Sequence, residues 1–239
     1  MRLDKYLADL KIGTRSEIKK MIKQKRITVN QEIVKNGKLQ IDETTAQVVV
    51  DGEMMQYQTM YYYILNKPQG VLSATNDAVQ KTVLDLFSPA DYRDDLFPVG
   101  RLDKDTTGLL LISNDGELAH QLLSPKKHVA KTYRAEIAGF VTEAEVDKFA
   151  AGMTLKDGSE LKPAQLVILK HDQAGNKSQI EVTIHEGKYH QIKRMFGAVG
   201  MKVETLQRLT MGSLRLPKDL ALGKYRPLTS AELQELQKN

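Results

Sequence analysis

Three short segments hold the residues whose types and spacing could do chemistry. Gly100-Arg101-Leu102-Asp103-Lys104-Asp105-Thr106-Thr107-Gly108 is polar and turn-rich, and it lies between two apolar stretches, 97–99 and 109–113. A carboxylate there can be held rigidly at a sheet edge while still facing a ligand. The same spacing also suits a plain turn in which Asp103 or Asp105 caps backbone donors. Lys131-Thr132-Tyr133-Arg134 places an aromatic ring among bases on an alternating, strand-like stretch. Glu186-Gly187-Lys188-Tyr189-His190-Gln191-Ile192-Lys193-Arg194-Met195 carries three cations and two planar rings where a loop enters a helix. Cations for phosphates and rings for bases suit unstacked RNA. A cation-rich helix start is unfavourable by itself, so local structure alone does not call for it.

Other chemistries find less support. The 239 residues include no cysteine, which excludes disulfides, thiol catalysis and thiolate metal sites. His185 and His190 have no carboxylate at ligand spacing and no HExxH pattern, so they read as loop histidines rather than a metal site. No P-loop or dinucleotide fingerprint is present. Asp103 and Asp105 could be a glycosidase pair, but two positions apart in a turn gives no assurance that they flank a sugar.

The elements that must position these segments follow from periodicity. Leu3, Leu7 and Leu10 share one helix face, and Gly13 stops that helix. Thr14 and Glu17 form a capping box for a second helix carrying Ile18 and Ile22. Short strands are expected at 27–29, 33–34 and 46–50, with turns at Asn30-Gln31 and Asn36-Gly37. After the Asp51-Gly52 turn the chain divides near Tyr57, giving units 1–57 and 58–239. The second unit is expected to have strands at 61–66, 97–99, 109–113, 131–137, 164–169, 179–184, 203–209 and 213–216. Helices are expected at 116–123, from 142 to about 150, at 190–199 and after Thr229. Hairpin-like spacings and irregular mixing predict an α+β fold with a largely antiparallel sheet.

Charge is concentrated at one end. Residues 1–45 hold eleven Lys and Arg against six Asp and Glu, whereas the rest of the chain holds 24 of each. A localised basic excess is the footprint of a polyanion partner, although a solvated face has the same composition. Hydrophobic residues make up 41% and no apolar run reaches membrane-span length, which with the charged start at Arg2, Asp4 and Lys5 predicts a cytoplasmic protein with no membrane partner.

Taken in order, the segments resemble the motifs of pseudouridine synthases of the small-subunit ribosomal RNA type, the RsuA family. Gly-Arg-Leu-Asp followed by Asp-Thr-Thr-Gly-Leu-Leu-Leu at 100–111 is similar to that family's nucleophile motif. Asn66-Lys67-Pro68 with Gly70 resembles its opening strand and loop, 131–133 its tyrosine motif, 186–195 its basic motif and 224–229 its ending. Residues 1 to about 50 resemble the αL RNA-binding motif that often precedes the catalytic domain. One departure is Lys188, where the family usually has arginine.

The resemblance implies a cofactor-free isomerisation of uridine to pseudouridine in ribosomal RNA. It implies Asp103 as the nucleophile, Tyr133 stacked on the flipped uracil, and Lys188 paired with Asp103 to keep it ionised. Arg101 would fill the space the nucleotide leaves, and Leu206 would form an apolar floor. Arg15, Lys19, Lys20, Lys23, Lys25 and Arg26 would hold RNA phosphates. The expected partner is ribosomal RNA within a small-subunit assembly intermediate, engaged by a monomer. The lack of a long basic tail after Asn239 favours the small subunit over the large one. A non-catalytic ribosome-assembly protein would explain the basic unit equally well, but not an acid set in an RNA-attracting loop.

Overall fold

The computed structural model describes residues 1–43, 45–55, 57 and 59–238. The chain forms two compact units, Met1–Thr59 and Met60–Asn239. Helices and a mixed sheet alternate irregularly through the second unit, so the fold class is α+β.

The first unit opens with helices α1 (Leu3–Asp9) and α2 (Arg15–Lys23). The Thr14–Glu17 capping box is formed, and Ile18, Met21 and Ile22 form the buried face of α2. Strands β1 (Ile27–Val29), β2 (Glu32–Ile33), β3 (Val48–Val50) and β4 (Glu53–Met55) make an antiparallel sheet in the order β2-β1-β3-β4. Leu3, Tyr6 and Leu7 of α1 pack with α2 and these strands into one core. The last strand, β4, carries no hydrophobic alternation that would have revealed it.

The second unit contains strands β5 (Tyr62–Lys67), β6 (Phe97–Val99) and β7 (Thr107–Ser113), then helix α3 (Gly116–Leu123) and strand β8 (Lys131–Ala138). Helix α4 (Glu143–Ala151) leads into a two-stranded hairpin, β9 (Met153–Thr154) and β10 (Glu160–Leu161). Strands β11 (Gln165–Asp172) and β12 (Lys177–Ile184), helix α5 (Gln191–Ala198), strands β13 (Lys202–Met211), β14 (Leu214–Arg215) and β15 (Tyr225–Pro227), and helix α6 (Ser230–Gln237) complete it. The main sheet runs β11-β12-β8-β13-β7-β5-β15, with β14 on β13 and β6 on β7. Its pairings are antiparallel except for β13 against β7.

The apolar run in β7 is buried on both faces. Leu110 and Ile112 join one core with Phe149 of α4 and Met195 and Phe196 of α5. Leu109 and Leu111 join the other with Leu118 and Leu122 of α3 and Leu236 of α6. A strand covered on both sides reads as a continuous hydrophobic run, which is why this element is plain in the sequence. Strand β8 instead alternates, with Tyr133, Ala135 and Ile137 on the covered face.

The parallel contact between β7 and β13 is short, limited to Gln207 opposite Thr107 and Arg208 opposite Gly108. Gly108 has φ +101°, and a Cβ there would lie 2.3 Å from the Arg208 carbonyl oxygen and 2.7 Å from its nitrogen. Beyond this point the buried Arg208 donates from Nε to the Leu109 carbonyl at 2.7 Å. Only glycine allows this approach. Gly108→Ala is expected to destabilise the protein by about 2–3 kcal/mol or more, because backbone strain and a backbone clash coincide. Urea unfolding of the two proteins measures it, and an unchanged midpoint would refute the steric account.

Candidate active site

The loop between β6 and β7 carries Asp103, and its backbone is fixed from below. Lys67, the last residue of β5, is fully buried. Its three N–H donors are shared among four carbonyl oxygens, those of Asp103 (3.0 Å), Thr106 (3.0 Å), Pro68 (3.1 Å) and, more distantly, Lys104 (3.4 Å). The Gly70 amide donates to the Lys104 carbonyl at 2.8 Å. Ser73 Oγ donates to the Leu102 carbonyl and accepts from its amide, at 2.9 and 3.0 Å. Asp103 is thus on a rigid turn, closed by the Thr106 amide donating to its carbonyl at 3.1 Å.

The Asp103 carboxylate opens onto a cavity lined by Arg101, Leu102, Thr106, Tyr133, Ile184, Lys188, His190, Ile192, Lys193 and Leu206, among others. Tyr133 arrives on the covered face of β8 and Leu206 on β13; both are buried, whereas Arg101 is exposed at the rim. The neighbours of Tyr133 point elsewhere. Lys131 is buried and donates to the Val129 carbonyl, and Arg134 pairs with Glu181 at 2.7 Å.

The cation beside Asp103 is Lys193, not Lys188. Lys193 Nζ lies 3.1 Å from Asp103 Oδ2 and 2.6 Å from Asp105 Oδ1. Burial opposes its charge, but the hydrogen bonds to Asp105 and Asp103 prevail and raise its pKa. The same contact holds the Asp105 carboxyl below the usual carboxylate range. His190 Nε2 lies 3.5 Å from Asp103 Oδ1, and its ring stacks on Tyr189 with centroids 3.8 Å apart. The reason Lys188 misses lies in the backbone. His190 adopts a left-handed conformation, φ 48°, immediately before α5. Lys188 therefore stays on the loop side, donating to the Glu160 carbonyl of β10 and lying 3.9 Å from Glu186. The first turn of α5 brings Lys193 round to the carboxylate instead. Gln191 fixes this turn, accepting from the Lys188 amide at 3.0 Å and donating to Glu186 at 2.8 Å.

In the first unit a groove between α2 and the 35–38 loop is lined by Arg15, Lys19 and Lys23 together with Lys35 and Lys38. Lys20, Lys25 and Arg26 are exposed but do not line it, and Arg26 is paired with Asp51 at 2.6 Å. Among the described residues no group of His, Cys, Asp and Glu could hold a metal ion, and no helix is long and apolar enough to cross a membrane.

Comparison with known proteins gives this arrangement its family. Residues 61–198 match the RNA pseudouridylate synthase family, and residues 1–45 match the S4 domain. The chain belongs to the RNA pseudouridylate synthase family. It is 46% identical over 236 residues to an uncharacterized RNA pseudouridine synthase of Bacillus subtilis, covering 99% of this chain and 98% of that one. It is 40% identical to ribosomal small subunit pseudouridine synthase A of Haemophilus influenzae, over all of both chains. A solved structure described as a pseudouridylate synthase superposes with a TM-score of 0.68 at 38% identity, covering 99% of each chain. The protein is therefore an enzyme, an isomerase of the pseudouridine synthase class, and not a non-catalytic assembly protein.

In this pseudouridine synthase, four residues of the site escape a reading of types and spacing: Lys67, Thr106, His190 and Lys193. Lys193 was one of three cations in its segment, and only the position of the helix start tells which one faces inward. Lys67 closes a strand whose residues 62–65 are apolar or aromatic, and its charge there is unusual. Burial pushes its ammonium down to about 8, against the pull of Asp105 and Asp103. Its pKa is thus depressed in the folded state, so the unfolded chain binds the extra proton between pH 8 and 10.5. Stability should rise with pH across that window by up to about 3 kcal/mol from this group. Lys67→Met should flatten the rise between pH 8 and 10, read from denaturant midpoints against wild type. Parallel curves would show that Lys67 carries no such penalty.

Proposed function

We propose that this enzyme isomerises a uridine of small-subunit ribosomal RNA to pseudouridine at the Asp103 cavity. The observation that carries the reading is the Asp103 carboxylate, fixed on a rigid turn and neutralised by Lys193, at a cavity walled by Tyr133, Ile184 and Leu206. The small subunit is favoured because full-length relatives of Haemophilus influenzae and Escherichia coli bear that target in their names.

The reaction breaks N1–C1′ and forms C5–C1′; a proton leaves C5 and one is taken up at N1. Composition and oxidation state are unchanged, so the chemistry requires no cofactor. Asp103 supplies the carboxylate at the ribose. The cavity encloses only about 80 Å³ in the free enzyme, well below the roughly 300–1,000 Å³ of sites that bury small ligands. The reacting atoms are hidden in a stacked helix, so the nucleotide must be flipped out of its stack, and at this cavity size it must displace rim side chains as it enters. Arg101, exposed at the rim, fills the space left in the RNA. Tyr133 stacks on the uracil, and Leu206 gives the apolar floor. Lys193 takes the charge-pairing role, and Lys188 orders the loop that delivers it. Arg15, Lys19 and Lys23 grip phosphates from the first unit, with Lys35 and Lys38 added and Lys20, Lys25 and Arg26 peripheral. Phosphate contacts of this kind position RNA without reading its sequence. The enzyme acts as a cytoplasmic monomer on an assembly intermediate of the subunit.

Asp103→Asn should abolish release of tritium from C5-labelled 16S ribosomal RNA while leaving RNA affinity within a few-fold, because the amide keeps the shape and loses the nucleophile. Lys193→Met should slow single turnover by about 100-fold or more, as expected for losing the partner of a charged site group, and Lys188→Met should cost much less. Near-native turnover by Asp103→Asn would move the assignment to Asp105.

Replacing Arg15, Lys19 and Lys23 together by glutamine should reduce the dependence of log affinity on log salt by about 2–3, at roughly 0.7–0.9 per phosphate contact. An unchanged slope in filter binding between 50 and 200 mM salt would remove the groove from the RNA interface.

A further inference from the structure

Among the described residues, three buried side-chain atoms have no hydrogen-bond partner: Asn66 Oδ1, Thr106 Oγ1 and Arg208 Nη2. Asn66 and Arg208 each use another atom, donating to the Leu220 and Leu109 carbonyls. Thr106 has only its hydroxyl, and that hydroxyl bonds nothing. The residue is 2% exposed and lines the cavity that holds the Asp103 carboxylate. Its main chain is fully engaged, with the amide donating to Asp103 and the carbonyl accepting from Lys67. The turn therefore fixes the backbone at Thr106 and leaves its buried hydroxyl without a partner.

Leaving a buried hydroxyl unbonded lowers stability, and a valine of the same shape would avoid the loss. Such a group is explained if its partner arrives with the substrate. We propose that the Thr106 hydroxyl is a substrate contact, hydrogen-bonding a polar atom of the flipped uridine once the nucleotide has opened the cavity. The inference rests on the assignment of that cavity to the target uridine. Uridine offers two sources of the bond: the ribose 2′-hydroxyl, next to the C1′ that Asp103 must approach, and the carbonyl and imide edge of the base. A hydroxyl can donate or accept and so meets either.

Stability and activity should part company. Thr106→Val should melt at or above the wild-type temperature, yet lose about 10- to 100-fold in single-turnover rate or affinity on 16S ribosomal RNA. Thr106→Ser, which keeps the hydroxyl, should stay within a few-fold of wild type. Binding of RNA with 2′-deoxyuridine at the target then locates the bond. A Val penalty that vanishes there puts it on the ribose, and one that persists puts it on the base. Full activity of Thr106→Val overturns the proposal. So does a lower melting temperature that accounts for the lost activity, since the hydroxyl would then have a structural partner. Asp103→Asn is the control in the same assay. If it is inactive while Thr106→Val is fully active, only the Thr106 contact fails; if it is fully active, the site assignment fails and the contact with it.

Discussion

The buried ammonium of Lys67 is the constraint on which the geometry of the site depends. Four carbonyl oxygens, from Pro68, Asp103, Lys104 and Thr106, converge on one Nζ. Carbonyls of a tight turn repel one another and would otherwise face water. A central cation gathers them, and hydrogen bonds to a charged donor are worth more than neutral ones. The cation gives up its hydration in exchange, which shows in its lowered pKa. The result is a turn whose Asp103 side chain is aimed by backbone rather than by side-chain packing.

The rest of the second unit serves that turn. β7 leaves it directly into the double-sided core, so the carboxylate is one short step from the most rigid strand of the sheet. Gly108 and Arg208 bring β13 against β7 at the same level, which carries Leu206 to the cavity. β8 lies on the other side of β13 and delivers Tyr133. Three strands far apart in sequence thus place an acid, a ring and an apolar side chain around one point. α5 adds Lys193 from above, and its entry is fixed by Glu186 and Gln191 rather than by a helix cap of the usual kind.

Lys193 is shared between two carboxylates, and it sits closer to Asp105 than to Asp103. An ammonium held by both is pinned in place, while Asp103 keeps lone pairs free for other contacts. Asp105 is largely exposed, so solvent screens its share of the attraction. The pair resembles a glycosidase dyad in sequence only; in space one acid faces the cavity wall and the other the solvent.

Elements whose pattern is local were legible in the residues: the capping box at Thr14, the helix starts at Thr142 and Thr229, the double-buried run at 109–112 and the alternation of β8. The order of the motifs was enough to indicate the family, which full-length similarity shows. The short strands β4, β9, β10 and β15 carry no periodicity or turn signal that marks them, and they exist because a neighbour pairs with them. Within the site, residue types established that an acid, a tyrosine and a basic segment are present. They did not determine which cation meets the acid. That was decided by a left-handed residue at His190, which turns Lys188 toward β10 and Lys193 toward Asp103. Nor could residue types reveal that Lys67 is a structural charge or that the Thr106 hydroxyl is left unbonded. Both depend on which backbone carbonyls and side chains surround them, and long-range pairing of β5, β7 and β13 alone sets that.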